Sequence, residues 1–291
     1  MLCFIWGSTW LAIRLGLESL TPLISAGIRF SLASIFIFIV MKIRNITIQK
    51  DAVAIRLYIL MGFLSFVIPF GLVYWAEQFV PSGMASVLFA VYPFFVAIFL
   101  FIRIPSEQIG IYKIMGTIIG FVGIVVIFSD SFTGDFSDII LGMIACVLSG
   151  VIQAWIAVSI KKFGNHLNPL SMNLFPMIIG AVFLLGIGYL SEDISKISFN
   201  ENAVLSLLYL GFFGSVVTFT SFYWLLKRMN VVILSLMTFI TPIVALILGY
   251  FVYNETLSTR HFIGSALVLT GVFGANLRNL MKIRRKEIIK S

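Results

Sequence analysis

Residues 74–93, YWAEQFVPSGMASVLFAVYP, and residues 223–242, YWLLKRMNVVILSLMTFITP, have the same length and agree at their first two positions, their thirteenth and their last. Tyr74, Trp75, Ser86 and Pro93 thus match Tyr223, Trp224, Ser235 and Pro242 at one constant offset of 149. Working outward, Glu107 pairs with Glu255, Gly116 with Gly264 and Gly123 with Gly271 at 148, and Pro22 with Pro169 at 147. The chain reads as two copies of one unit.

Each unit is too apolar for water. Of the 291 residues 60% are hydrophobic and 11% charged, whereas soluble domains are roughly 45–50% apolar and about 25% charged. A span needs about 20 apolar residues in a helix, which alone satisfies its backbone without water. Charge-poor runs of that kind fall at 1–17, 22–42, 57–76, 81–102, 112–129, 139–160, 169–190, 203–226, 231–252 and 261–280. The expected fold is an all-α integral membrane protein of about ten transmembrane helices. It divides into a first five-helix repeat over 1–130, a second over 139–280 and a basic tail over 281–291. Five is odd, so equivalent helices cross in opposite senses, giving the inverted-topology repeat that transporters use for alternating access. The first run starts at Met1 without a basic flank, and Leu2 to Leu17 reads as a retained helix rather than a signal peptide.

Charge sets the expected orientation. With the amino terminus in the cytoplasm, 16 of the 20 Lys and Arg fall on cytoplasmic connections and tail. Arg14, Lys196 and Arg260 fall opposite, among Asp130, Asp135, Asp138, Glu192 and Asp193. This bias places both termini inside and accounts for the net charge of +8 without nucleic acid. The tail after Arg278 suits a positive-inside anchor and also suits anionic membrane lipid as a partner. Cys3 and Cys146 lie in apolar runs and read as packing residues. His166 and His261 are solitary, so no enzyme or metal site is expected. The acids sit in loops or at span ends such as Glu18, Glu77 and Glu255, which favours facilitated diffusion or exchange over ion coupling.

The chain resembles the drug/metabolite transporter superfamily, EamA type, over Trp6 to about Gly274. The resemblance is carried by Trp6-Gly7-Ser8-Thr9, Pro22 with Arg29-Phe30, Ala85-Ser86 with Pro93, and Glu107 before Gly116 and Gly123. Pro242, Glu255, Gly264 and Gly271 are the counterparts in the second half, while Ser106 and Asn254 stand where the family has glycine. It implies efflux of a small-molecule substrate, a metabolite or drug, across a prokaryotic plasma membrane, and no cofactor. Import or exchange, a channel and a non-transporting adaptor are the rival functions; oligomeric state is left open.

Candidate substrate-binding residues gather at mid-span. Pro93 and Pro242 remove an amide donor and oppose the carbonyl four residues back, breaking spans four and nine; a packing kink is the alternative. Tyr92, Thr238 and Thr241 place hydroxyls at that depth, although Thr hydroxyls also bond back to their own helix. Trp6 and Thr9, with Trp10 one turn on, form an aromatic face suited to an organic solute or to helix packing. Gln153, with Ser149 on its face, needs either an interhelical bond or substrate. Tyr74, Trp75, Tyr223 and Trp224 are assigned to aromatic belts at the span ends. Gly116-xxx-Gly120 is a helix-contact motif of unspecified partner. Arg29 stands alone within a span, where a central Arg costs roughly 2.5–3.5 kcal/mol on insertion scales. Its partner is a substrate carboxylate, Glu18, Glu77, or freed backbone carbonyls. Its counterpart at offset 147 is Pro176, so the second half lacks this charge.

Overall fold

The computed structural model describes residues 1–104, 110–128, 137–253 and 258–288, and no strand occurs among them. Glu107, Glu255, Ser106, Asn254, Asp130 and Asp135 lie outside the described residues. Among the described residues seven helices are long and apolar enough to cross a membrane: α2 (Pro22–Ile43), α3 (Ala52–Ala76), α4 (Ser82–Arg103), α6 (Ser137–Phe163), α7 (Ser171–Ser191), α8 (Glu201–Arg228) and α9 (Val231–Val252). Between and beside them run α1 (Leu2–Leu17), α5 (Ile111–Phe128) and α10 (Thr259–Ile288), whose apolar stretches are shorter. Large apolar side chains such as Phe38, Phe101, Val182 and Leu190 stay exposed, as a lipid-facing surface requires.

Several helices reach further than their charge-free runs because polar side chains cap them. Asp51 accepts from the Ala54 amide at 3.0 Å and starts α3 before Arg56. Asn200 does the same for Ala203 at 2.8 Å and brings Glu201 into the first turn of α8. Both satisfy donors that a helix start leaves unpaired. At α2, Pro22 occupies the first turn, and the Glu192 carboxylate accepts from Leu23 and Ile24 at 2.8 and 3.1 Å. A carboxylate there also meets the positive end of the helix dipole. Asp51 further contacts His166 at 3.2 Å; its amide and histidine bonds hold this exposed carboxyl below its ordinary pKa.

Two long helices carry a π turn at matched places, Gly62–Val67 in α3 and Phe212–Val217 in α8. In α3 the cause is Pro69, which has no amide to give the preceding turn. In α8 Thr218 donates its hydroxyl to the Gly214 carbonyl at 2.7 Å, so that a side chain enters the backbone ladder. The breaks expected in α4 and α9 are also present. Helix α4 stops at Phe89 and resumes at Tyr92, while α9 narrows to a 3₁₀ turn over Leu236–Phe239 and resumes at Thr241. Each proline sits in the first turn of the resumed segment, where a missing amide costs no helical bond.

The glycine motif finds its partner within the chain. Helix α5 packs on α10 so closely that a Cβ on Gly123 would stand 2.6 Å from the Gly264 carbonyl, and one on Gly271 2.5 Å from the Gly120 amide. Small residues permit this backbone approach. Gly186 of α7, by contrast, has nothing within 4 Å of an added Cβ. Gly123→Leu is therefore expected to destabilise the protein by about 1–3 kcal/mol through overpacking, read as lower thermal stability in detergent. Gly186→Ala should not destabilise it, and equal losses in the two variants would contradict this packing.

Candidate functional site

A cavity of roughly 840 Å³ of empty space, part of it open to solvent, lies among α1, α2, α3, α4, α6, α8 and α9. Its walls include Trp6, Thr9, Arg29, Tyr92, Gln153, Thr238 and Thr241, so seven of the nine candidates come together. Pro93 and Pro242 do not line it. They begin the helix segments whose preceding breaks turn Tyr92, Thr238 and Thr241 towards the space.

Arg29 is 1% exposed. Its Nε donates to Ser215 Oγ at 2.9 Å, one terminal nitrogen to the Gly214 carbonyl at 2.8 Å and the other to Tyr74 Oη at 3.3 Å. The guanidinium carbon also sits 4.9 Å from the Phe70 ring centre and 5.5 Å from that of Phe30. Gly214 and Ser215 belong to the π turn of α8, so of the partners expected from sequence the freed carbonyl is the one found. Neither Glu18 nor Glu77 bonds the guanidinium. Every partner is neutral, and among the described residues the three bonds leave two of five N–H donors without a protein acceptor.

The other polar groups differ in how much bonding capacity they keep. Thr9, Thr238 and Thr241 donate to carbonyls three residues back at 2.7, 2.9 and 2.9 Å, leaving only acceptor capacity. Gln153 and Tyr92 have no hydrogen-bond partner among the described residues, and both line the cavity. The interhelical bond entertained for Gln153 is absent there. Ser149 is fully buried with an unpaired hydroxyl.

The remaining wall is aromatic. Trp6 meets Phe219 edge-on at 5.9 Å and Phe222 at 5.2 Å, while Trp10 meets Phe89 at 5.9 Å. The belt assignment is corrected for the two tyrosines. Trp75 and Trp224 are 38% and 48% exposed, but Tyr74 and Tyr223 are 0% and 2% exposed. Consecutive helix residues point about 100° apart, so one member of each Tyr-Trp pair faces lipid while the other turns inward. Tyr223, assigned to a belt, joins the lining together with Phe219, Phe222, Ser65 and Phe70, which were not singled out from sequence. The paired offset was the available signal for Tyr223. Glu77 stands at the end of α3, as its reading as a span-end acid expects, but it is buried.

Known proteins resemble the whole chain. The model of the EamA-like transporter family matches residues 1–129 and again 140–277. The uncharacterized transporter YoaV of Bacillus subtilis is 28% identical over 92% of each chain. Protein PagO of Salmonella typhimurium is 27% identical over 92% of this chain and 88% of its own. The uncharacterized inner membrane transporter YedA of Escherichia coli is 28% identical over 93% and 87%. A solved structure superposes over 96% of both chains with TM-score 0.81 at 17% identity, which is a likeness of fold alone.

Removing one neutral partner of Arg29 strands a buried donor, at about 1–3 kcal/mol. Ser215→Ala should therefore lower the melting temperature in detergent. An unchanged melting temperature would mean that Ser215 does not hold the guanidinium.

Proposed function

The chain belongs to the EamA-like transporter family, and from that premise we propose that it carries a small organic solute bearing a carboxylate, amino acid-like or drug-like, through the Arg29 cavity by alternating access. As a family member it is a multi-pass membrane transporter and not an enzyme. The observation that carries the proposal is a fully buried cation at a cavity wall with neutral partners and two unspent donors. Neutral dipoles make such a charge tolerable but give it no bonded counter-ion, and an arriving carboxylate supplies one through charge-assisted bonds. Gln153 and Tyr92 supply further donors and acceptors, and the aromatic wall accepts the organic body.

The finer architecture belongs to the same proposal. Ten spans form two inverted five-helix repeats, supported by the shared offset, the π turns beginning at Gly62 and Phe212, and the matched breaks before Pro93 and Pro242. Both termini face the cytoplasm of a prokaryotic cell, as the distribution of Lys and Arg indicates, and the direction is export. A cavity walled by both halves is where such carriers switch access.

Two experiments test this. With Cys3 and Cys146 removed, a cysteine at position 196 should react with an impermeant thiol reagent in intact cells and one at 50 should not; the opposite pattern would reverse the topology. In proteoliposomes, Arg29→Lys should fold and transport L-phenylalanine or L-leucine more weakly, and Arg29→Ala more weakly still. The loss should exceed that for the corresponding amino-acid amides. A folded Arg29→Ala protein with parental flux of every probe removes the anion site.

A further inference from the structure

Glu77 caps the end of α3 and is only 8% exposed. Neither carboxylate oxygen has a hydrogen-bond partner among the described residues. Around it lie Ala76, Val80 and the glycine face of α6, where a Cβ on Gly142 would stand 2.7 Å from Val80 and 3.5 Å from the Ala76 carbonyl. An ionised carboxylate removed from water without partners is costly, and such groups neutralise or bind an ion. A metal cation needs several oxygen ligands, and no cluster of three His, Cys, Asp or Glu exists among the described residues. A proton needs one carboxylate.

The charged and titratable groups that act on Glu77 are Arg14 from α1, Arg29 from α2, Cys146 from α6 and Tyr74 one turn back on its own helix. Arg29 therefore serves two anions at once: Glu77 through space, without a bond, and, on the functional reading above, the substrate carboxylate by direct bonds at the cavity wall. Tyr74 links them, since its hydroxyl accepts from Arg29 while Glu77 lies three residues further on.

We propose that Glu77 is a proton-binding site coupled to the cavity, so that a carboxylate binding at Arg29 is accompanied by transfer of one proton from water to Glu77. The incoming anion takes up the guanidinium field that otherwise compensates Glu77, and the proton restores neutrality. No other bond changes. Coupling between sites is reciprocal, so protonated Glu77 leaves Arg29 more strongly cationic and tightens anion binding. The carrier then moves its substrate together with one proton, in place of uncoupled diffusion or exchange.

The inference rests on Arg29 as the anion site, and the experiment separates the two. Infrared spectra of the purified protein in lipid should contain a protonated-carboxyl band that titrates with pH and disappears in Glu77→Gln; this requires no ligand. L-phenylalanine, zwitterionic throughout the range, should bind up to tenfold more tightly for each pH unit lowered between about 8 and 5, the limit for one proton per ligand. A pH dye in weak buffer should report about one proton taken up per ligand bound. In Glu77→Gln both the pH dependence and the proton uptake should vanish while binding persists. If no probe binds but the band titrates, the anion site fails and the proton site stands without its coupling. A band unchanged by Glu77→Gln, or the same pH dependence in variant and parent, overturns the proposal.

Discussion

A guanidinium that water cannot reach must find its acceptors inside the protein, and the interior around Arg29 is organised by that requirement. The acceptors come from the one place in α8 where the helical ladder is loosened. The π turn over Phe212–Val217 presents the Gly214 carbonyl and the Ser215 hydroxyl to α2. Thr218 shares the same carbonyl. Tyr74 adds a hydroxyl from α3, and Phe70 and Phe30 lay ring faces near the charge. Elements of both halves are thereby tied to one cation. The tie is neutral throughout, which keeps the cavity electropositive instead of cancelling it with an internal ion pair.

The second half has no such charge. The first-half counterpart of the α8 π turn, over Gly62–Val67 in α3, packs against α7 of the second half through Phe66 and Gly180. The same backbone irregularity is therefore used once to solvate a cation and once to admit an aromatic ring. The breaks in α4 and α9 share the division of labour: the prolines shape the backbone, and their neighbours face the cavity. Where the backbones must touch, as between α5 and α10, glycine and alanine remove the side chains that would hold them apart.

Much of this was legible in the sequence, because the constraints of a bilayer are severe. Lack of water forces long apolar helices, and an intramembrane Arg or mid-span Gln is costly enough to stand out. Seven of the nine candidate residues consequently meet at one cavity. The rest was illegible for a specific reason. Where every face of a helix is apolar, no periodicity distinguishes the lipid side from the bundle side. Tyr74 therefore looked like its exposed neighbour Trp75, and Phe219 and Phe222 looked like any lipid-facing ring. Helix ends were misjudged where a cap such as Asp51 or Asn200 extended the helix beyond its uncharged run. Burial of Glu77 depends on α1, α2 and α6 converging at the end of α3, which a linear reading cannot supply.

The central claim is that the charge of Arg29, which has no bonded counter-ion, is completed by a substrate carboxylate. A structure of the protein in lipid with bound L-phenylalanine or L-leucine tests it most directly. The account predicts density in the cavity with the carboxylate about 2.7–2.9 Å from the free guanidinium donors and the bonds to Ser215 and Gly214 retained. A ligand seated elsewhere, or one bound in this cavity with its carboxylate turned away from Arg29, would contradict it.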